Sequence, residues 1–319
     1  MTLRDLFGML RACLTSAVMF MAGALVPVLG TIALILAPAP VLGCAVGFRN
    51  GLWRAAAVTA AAAGLITLAG GLEAGAAYFA TIGVSSVVIC FMLERRRPFE
   101  QIVAVTAASM LVVGALSVLA FVGSPEALAQ GLHNNLLQVM TRTEKLYSVA
   151  GLDTALTQDL RIRIVNATVR LMPALTAISA AMMALANLAL FWRISGRQQR
   201  IGYALFGDLA LWSTPEWLIW VLLIAGFGLL IPVSPLSAAA LNCSVCIAAI
   251  YFCQGLAIMA FYFRVLAMPS FARGLVYIIT FVQPVLAILI CAAGVFDLWI
   301  DFRRLKPSSP ETRNASNPL

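Results

Sequence analysis

Apolar residues fall along this chain in long runs, not with the short amphipathic period of a soluble fold. The runs cover about residues 13–29, 31–48, 52–68, 74–93, 102–122, 171–192, 217–231, 236–263 and 275–300. Most come near the roughly 20 residues that a helix needs to cross a hydrocarbon core of about 30 Å. The pattern predicts an all-α, polytopic integral membrane protein. Pro38 and Pro40 break the second run, and Gln283-Pro284 breaks the last. Proline lacks an amide N–H and disrupts a helix at such points. Eight or nine transmembrane helices are expected: eight if the last run is a re-entrant pair of half-helices, nine if it is a simple span.

Between the fifth and sixth runs lies a polar stretch, 123–170. Leu128, Leu132, Leu136 and Val139 recur there at helical spacing, with Gln130, Asn134, Gln138 and Arg142 largely on other faces. This is the pattern of an amphipathic helix, expected along the outer membrane interface. Asp153 is placed to cap a second helix carrying Arg161, Arg163 and Arg170 toward the sixth span. The connector either shields the bundle or closes as a lid over an outward cavity. Four regions follow: a five-helix membrane region (1–122), an external connector (123–170), a second membrane region (171–305) and a disordered tail (306–319) rich in Pro, Ser and Asn.

Composition strengthens the membrane reading. The 319 residues are 62% hydrophobic and 11% charged, with a mean hydropathy of +0.97. Soluble domains are about 45–50% apolar and about 25% charged. The first run, with Ala22-Gly23-Ala24 near its end, imitates a signal peptide. Apolar character continues past it and many spans follow, so a retained first helix is expected.

Charge sets the orientation. With the N-terminus in the cytoplasm, Arg4 and Arg11, Arg49 and Arg54, Arg95 to Arg97, Arg193 with Arg197 and Arg200, and Arg264 with Arg273 all fall inside. The links near Gly30, Gly70–Glu73 and Pro232–Pro235 contain no Lys or Arg. This is the positive-inside bias, and it accounts for the net charge of +8 without nucleic acid. A simple ninth span would leave Arg303, Arg304 and Lys306 outside, whereas a re-entrant pair returns them. The expected address is the bacterial inner membrane.

Chemistry-bearing motifs are few. The one histidine, His133, leaves no cluster for a metal. The seven cysteines lie in apolar stretches, where Cys behaves as a small hydrophobe. Cys243 and Cys246 have metal-like spacing but no second pair. There is no phosphate loop with its lysine and no Ser/His/Asp set, so neither ATP hydrolysis nor any other catalysis is expected, and no cofactor. Asn187, Asn242, Gln254 and Gln283 are polar groups within spans, which bond between helices or line a functional cavity. Asn242 and Gln283, with Tyr78 and Glu73 at the outer end of the fourth span, are the candidate ligand residues. Arg95, Arg96, Arg97 and Arg304 are the candidate contacts for lipid or a partner. Trp212, Trp217 and Trp220 read as an interfacial belt. Asp297, Asp301 and Arg304 fall on one helical face, which predicts an intrahelical ion pair.

Several stretches carry a family resemblance. Pro27-Val28-Leu29-Gly30, then Leu36-Ala37-Pro38-Ala39-Pro40 with Gly43, Gly47, Gly51 and Gly64, resemble the opening of a substrate-binding S component of energy-coupling-factor transporters. Trp212-Ser213-Thr214-Pro215-Glu216-Trp217, then Tyr251-Phe252-Cys253-Gln254-Gly255, then Gly294-Val295-Phe296-Asp297-Leu298-Trp299 resemble the YybS-like family of uncharacterised bacterial membrane proteins (DUF2232). That family is distantly similar to S components. The resemblance implies an S-component-like N-terminal half, a small-molecule solute bound for uptake without catalysis, and energy-coupling subunits as partners alongside membrane lipids. This chain is longer than an S component. Small residues four apart on the first helix (Ala12 and Ser16, Cys13 and Ala17) give way to Phe20 and Met21. The alternative function is a membrane scaffold or assembly factor holding other membrane proteins or lipids, and a lipid enzyme ranks third.

Overall fold

A computed structural model describes residues 3–25, 27–46, 48, 50–121, 123–149, 158–195, 207–231 and 233–304. Every regular element among these is helical. Asp153 and the tail 306–319 lie outside the described residues. The chain divides into two units, Met1–Leu205 and Phe206–Leu319. Among the described residues five helices are long and apolar enough to cross a membrane, or six if one bent pair counts as a single span.

In the first unit, α1 (Leu3–Leu25) is followed by α2 (Pro27–Leu36) and α3 (Ala39–Ala45). These two short helices are the second apolar run, divided at Pro38. They turn back along α1, so that Ser16 meets Ala37. Next comes a helical stretch of 44 residues, Gly51–Glu94. It comprises α4 (Gly51–Tyr78), a π-helical turn (Phe79–Gly83) and α5 (Val84–Glu94). A straight helix of that length would measure about 66 Å, twice the thickness of a bilayer core. It does not run straight. Gly71 has φ 87° and ψ 171°, a conformation open essentially to glycine alone. Beyond it the chain doubles back, and Glu94 Oε1 accepts the Leu52 N–H at 3.0 Å. The third and fourth apolar runs are thus two antiparallel arms joined at Gly71, as the link near Gly70–Glu73, without Lys or Arg, predicts.

The ends of these arms share one face of the unit. Arg54 pairs with Asp5 at 3.3 Å, and Glu94 leads directly into the exposed Arg95–Arg97. The N-terminus of α1, the start of α4 and the end of α5 therefore bring their arginines to one end.

α6 (Phe99–Phe121) and α7 (Pro125–Val149) follow. On α7, Leu128, Leu132 and Leu136 are half-buried, while Gln130, Asn134 and Gln138 are exposed; Val139, expected on the apolar face, is exposed as well. The second half of the connector differs from expectation. α8 (Gln158–Ser195) runs through Arg161, Arg163, Arg170 and Pro173 without interruption. Residue 170 is therefore no structural boundary, and the division between units falls after Leu205. Arg163 is carried on the helix by an exposed pair with Asp159 one turn earlier, at 2.9 Å.

The second unit has a single 3-10 turn (Leu209–Leu211), then α9 (Leu218–Gly228), α10 (Ser234–Val265), α11 (Ser270–Val282) and α12 (Pro284–Ile300). Its core gathers Leu218, Ile219, Ile247 and Tyr251, with Cys291, Val295 and Leu298 packed against it. α10 and α12 meet backbone to backbone. A Cβ on Gly255 would stand 2.0 Å from the Ile290 carbonyl oxygen, and one on Gly294 would stand 2.0 Å from that of Tyr251. Only glycine at both positions permits this approach.

The last apolar run bends by 103° between α11 and α12. A bend beyond a right angle reverses the chain in part. Its end comes back to the end of α10 that it left: Tyr262 Oη donates to the Phe302 carbonyl at 2.9 Å. Arg264, Arg303 and Arg304 thus gather at one end of this unit. A pair bent this sharply is either a broken span or a re-entrant pair, the two readings that the Gln283-Pro284 break leaves open.

The hairpin at Gly71 makes a sharp prediction. In a cysteine-free background, Leu52→Cys with Arg95→Cys should cross-link with a bismaleimide of about 10 Å. In a continuous helix these positions would lie about 65 Å apart, and no cross-link would form.

Candidate functional site

Polar side chains inside the apolar helices form two separate networks, one in each unit. The first surrounds the α2–α3 break. Pro38 and Pro40 have no N–H for the carbonyls four residues earlier, those of Leu34 and Leu36. In hydrocarbon, such groups must find partners within the protein. Ala37 N–H takes the Leu34 carbonyl at 3.3 Å. Ser16 Oγ, fully buried on α1, donates to the Ala37 carbonyl at 2.9 Å. Tyr78 Oη lies 2.8 Å from that same hydroxyl. Since Ser16 gives its proton to a carbonyl that can only accept, Tyr78 donates to Ser16. From α8, Asn187 Nδ2 donates to the Ile35 carbonyl at 2.7 Å and to its own helix at Met183 at 2.7 Å. Ser16, Tyr78 and Asn187 are all fully buried.

The second network closes the end of α12. Asp297 and Arg303 pair at 2.7 Å, with side chains 5% and 1% exposed. Arg303 Nη1 also donates to the carbonyls of Ala210 and Trp212, at 2.9 and 2.8 Å. Gln254 Nε2 donates to Asp297 Oδ2 at 3.0 Å, and its Oε1 accepts from both the N–H and the hydroxyl of Thr214. Asp297 Oδ1 accepts the Phe302 N–H at 3.0 Å. This corrects the expected pairing among Asp297, Asp301 and Arg304. α12 stops at Ile300, and Asp301 turns left-handed with φ 47°. That turn swings Arg303 under Asp297 and leaves Arg304 exposed. Another ion pair, Arg264 with Asp208, ties the end of α10 to the chain before the 3-10 turn. The Arg264 hydrogen bond, aided by the Ala210 N–H, holds the exposed Asp208 carboxyl below its ordinary value.

The sequence-expected site residues do not converge. Tyr78 is committed to Ser16. Glu73 is exposed beside the Gly71 turn. Asn242 is half-buried on α10, its Nδ2 bonded to the Ala238 carbonyl at 2.8 Å. Gln283 sits at the α11–α12 break and is exposed, flanked by exposed Phe281, Val282 and Val285. Arg95, Arg96 and Arg97 are exposed after α5, with the Arg95 guanidinium over the Phe91 ring at 4.4 Å. Among the described residues no three His, Cys, Asp or Glu side chains group as metal ligands, and Cys243 and Cys246 are half-buried packing on α10. Sequence reasoning missed Ser16, Thr214 and Arg303. Their only local signal is a polar group beside an apolar run with a proline or an acid some way off.

Such a structure, apolar helices tied by buried polar bonds and charged at their ends, defines a polytopic helical membrane protein. The family described as predicted membrane protein (DUF2232) matches residues 14–298. That is most of the chain, and the protein belongs to this family. Among curated proteins and solved structures nothing matches it.

Two predictions follow from the second network and its neighbour. Arg303→Met or Asp297→Leu alone leaves a buried charge unpaired and should cost about 3–5 kcal/mol of stability, whereas the double variant should recover much of that loss. Thermal melting of the four proteins in detergent checks it. Asp208 titrates lower folded than unfolded, so its contribution is present above the ordinary carboxylate range and lost as pH falls through the folded value. Melting temperature should therefore fall less steeply below about pH 4 in Asp208→Asn than in the parent.

Proposed function

We propose that the protein binds a small polar solute within the membrane for uptake, without catalysis, in the manner the S-component resemblance implies. The observation that supports this reading is the break at Gln283-Pro284. It exposes an amide side chain inside an apolar segment, and Pro284 leaves the Thr280 carbonyl without its helical donor. Backbone so interrupted is tolerated at membrane depth only where protein covers it or a water-filled cavity reaches it. Interrupted apolar segments mark the binding sites of many transporters. Here each unit has one, but they differ. Side chains from α1 and α8 reach the break in the first unit, while Gln283 is exposed at the break in the second. Gln283 and, on α10, Asn242 are the residues proposed to meet the solute. Tyr78 and Glu73 serve the fold and the turn.

The same reading counts eight full spans: α1, α2 with α3, the two arms about Gly71, α6, α8, α9 and α10. The pair α11–α12 enters and returns. The arginines gathered at one end of each unit support a cytoplasmic N-terminus in a bacterial inner membrane. The exposed Arg95–Arg97 then face anionic lipid headgroups or an energy-coupling subunit.

Binding raises melting temperature by mass action. Purified protein screened against vitamins and related polar solutes should be stabilised by at least one, and Gln283→Leu should abolish that shift while leaving the unliganded melt unchanged. A panel without effect, together with co-purification of unrelated membrane proteins and no ATPase, would replace this reading with the scaffold.

A further inference from the structure

The α2–α3 break contains one group that the fold leaves unanswered. Asn187 is fully buried, and its Oδ1 has no hydrogen-bond partner. The orientation of the amide is fixed by its surroundings. Nδ2 faces two carbonyl oxygens, those of Ile35 and Met183, each at 2.7 Å. Both are acceptors, so exchanging the amide's O and N would set oxygen against oxygen. The oxygen must therefore lie on the side of the amide away from them, without a hydrogen-bond partner.

Its neighbourhood is rich in acceptors. The last carbonyls of α2 lie one residue on either side of the Ile35 carbonyl that the amide grips. Leu36 has lost its helical donor to Pro40, and Leu34, whose donor would be Pro38, takes only the 3.3 Å bond from Ala37. The C-terminal end of a half-helix also carries partial negative charge. Oxygen ligands alone, from backbone carbonyls and an amide, at the negative end of an interrupted helix make a setting for a hard monovalent cation.

We propose that this break binds a sodium ion, with Asn187 Oδ1 and the carbonyl of Leu36 among its ligands. The ion satisfies the buried amide oxygen and locks α8 against the broken helix. The site lies wholly within the first unit, and its test reads the ion directly. It does not rest on the solute reading.

The test is the melting temperature of the purified full-length protein in NaCl, KCl and choline chloride at equal ionic strength, with direct binding of radioactive sodium. A saturable, sodium-specific rise is expected, with one ion per chain. Asn187→Leu should lose it. Because that variant also removes the grip on α2 and can fail to fold, Pro40→Ala provides the second arm. It returns an N–H to the Leu36 carbonyl and keeps the Asn187 grip on α2. Sodium affinity should fall about tenfold, the equivalent of about 1.4 kcal/mol. Equal melting in all three salts would overturn the proposal and assign the Asn187 oxygen to an internal water. Sodium binding unchanged in Pro40→Ala, or in a folded Asn187→Leu, would overturn it as well.

Discussion

A backbone carbonyl without a donor is costly in hydrocarbon, by several kcal/mol. Pro38, Pro40 and Pro284 create such carbonyls inside apolar segments, and much of the structure is organised around the breaks they make. Around Pro38 and Pro40 other helices supply donors, to carbonyls that neighbour the Leu34 and Leu36 groups the prolines orphan. Ser16 reaches the Ala37 carbonyl from α1, Tyr78 supports Ser16 from the end of α4, and Asn187 holds the Ile35 carbonyl from α8. Four segments distant in sequence thus meet at one helical turn. Polar residues that would otherwise penalise insertion become the bonds that choose which helices pack together.

The second unit solves a different problem, ending a helix that carries charge. Asp297 and Arg303 are both buried, which would be prohibitive for either alone. The left-handed turn at Asp301 lets the chain fold under α12, so the pair forms locally. Gln254 and the Ala210 and Trp212 carbonyls add further hydrogen bonds to the pair. Gln254 also joins α12 to the segment before α9, so one cluster fastens three parts of the unit. The glycine contact of α10 with α12 fixes how near they come. Such bonds give these polar residues of the core a structural role, whereas Gln283 at its break is exposed.

Much of the architecture could be read from the sequence because each of its signals is local. Apolar runs mark helices, and prolines mark the two interruptions. A glycine pair without basic neighbours marks the turn at Gly71. Charge at one end of each run survives folding as charge at one end of each unit. The polar networks could not be read, because their partners are remote. Nothing near Ser16 announces Ala37 or Tyr78, and nothing near Gln254 announces Thr214. Helical spacing pointed Asp297 toward Asp301 and Arg304. The helix ends one residue before Asp301, so the periodicity no longer applied and Arg303 took the place instead. The boundary expected at residue 170 failed for the opposite reason. The polar stretch 123–170 suggested a connector, yet a helix carries its arginines readily, and α8 continues.

The central claim is that the two breaks differ: protein seals the one at Pro38–Pro40, and water reaches the one at Gln283-Pro284. The first turn of α12 tests it, because the N–H groups of Val285 and Leu286 have no partner within their own helix. Hydrogen–deuterium exchange of the protein in lipid nanodiscs reads both regions at once. The account predicts rapid exchange at residues 285–286 and strong protection at residues 37–42. Protection at both breaks, or rapid exchange at the first, would contradict it.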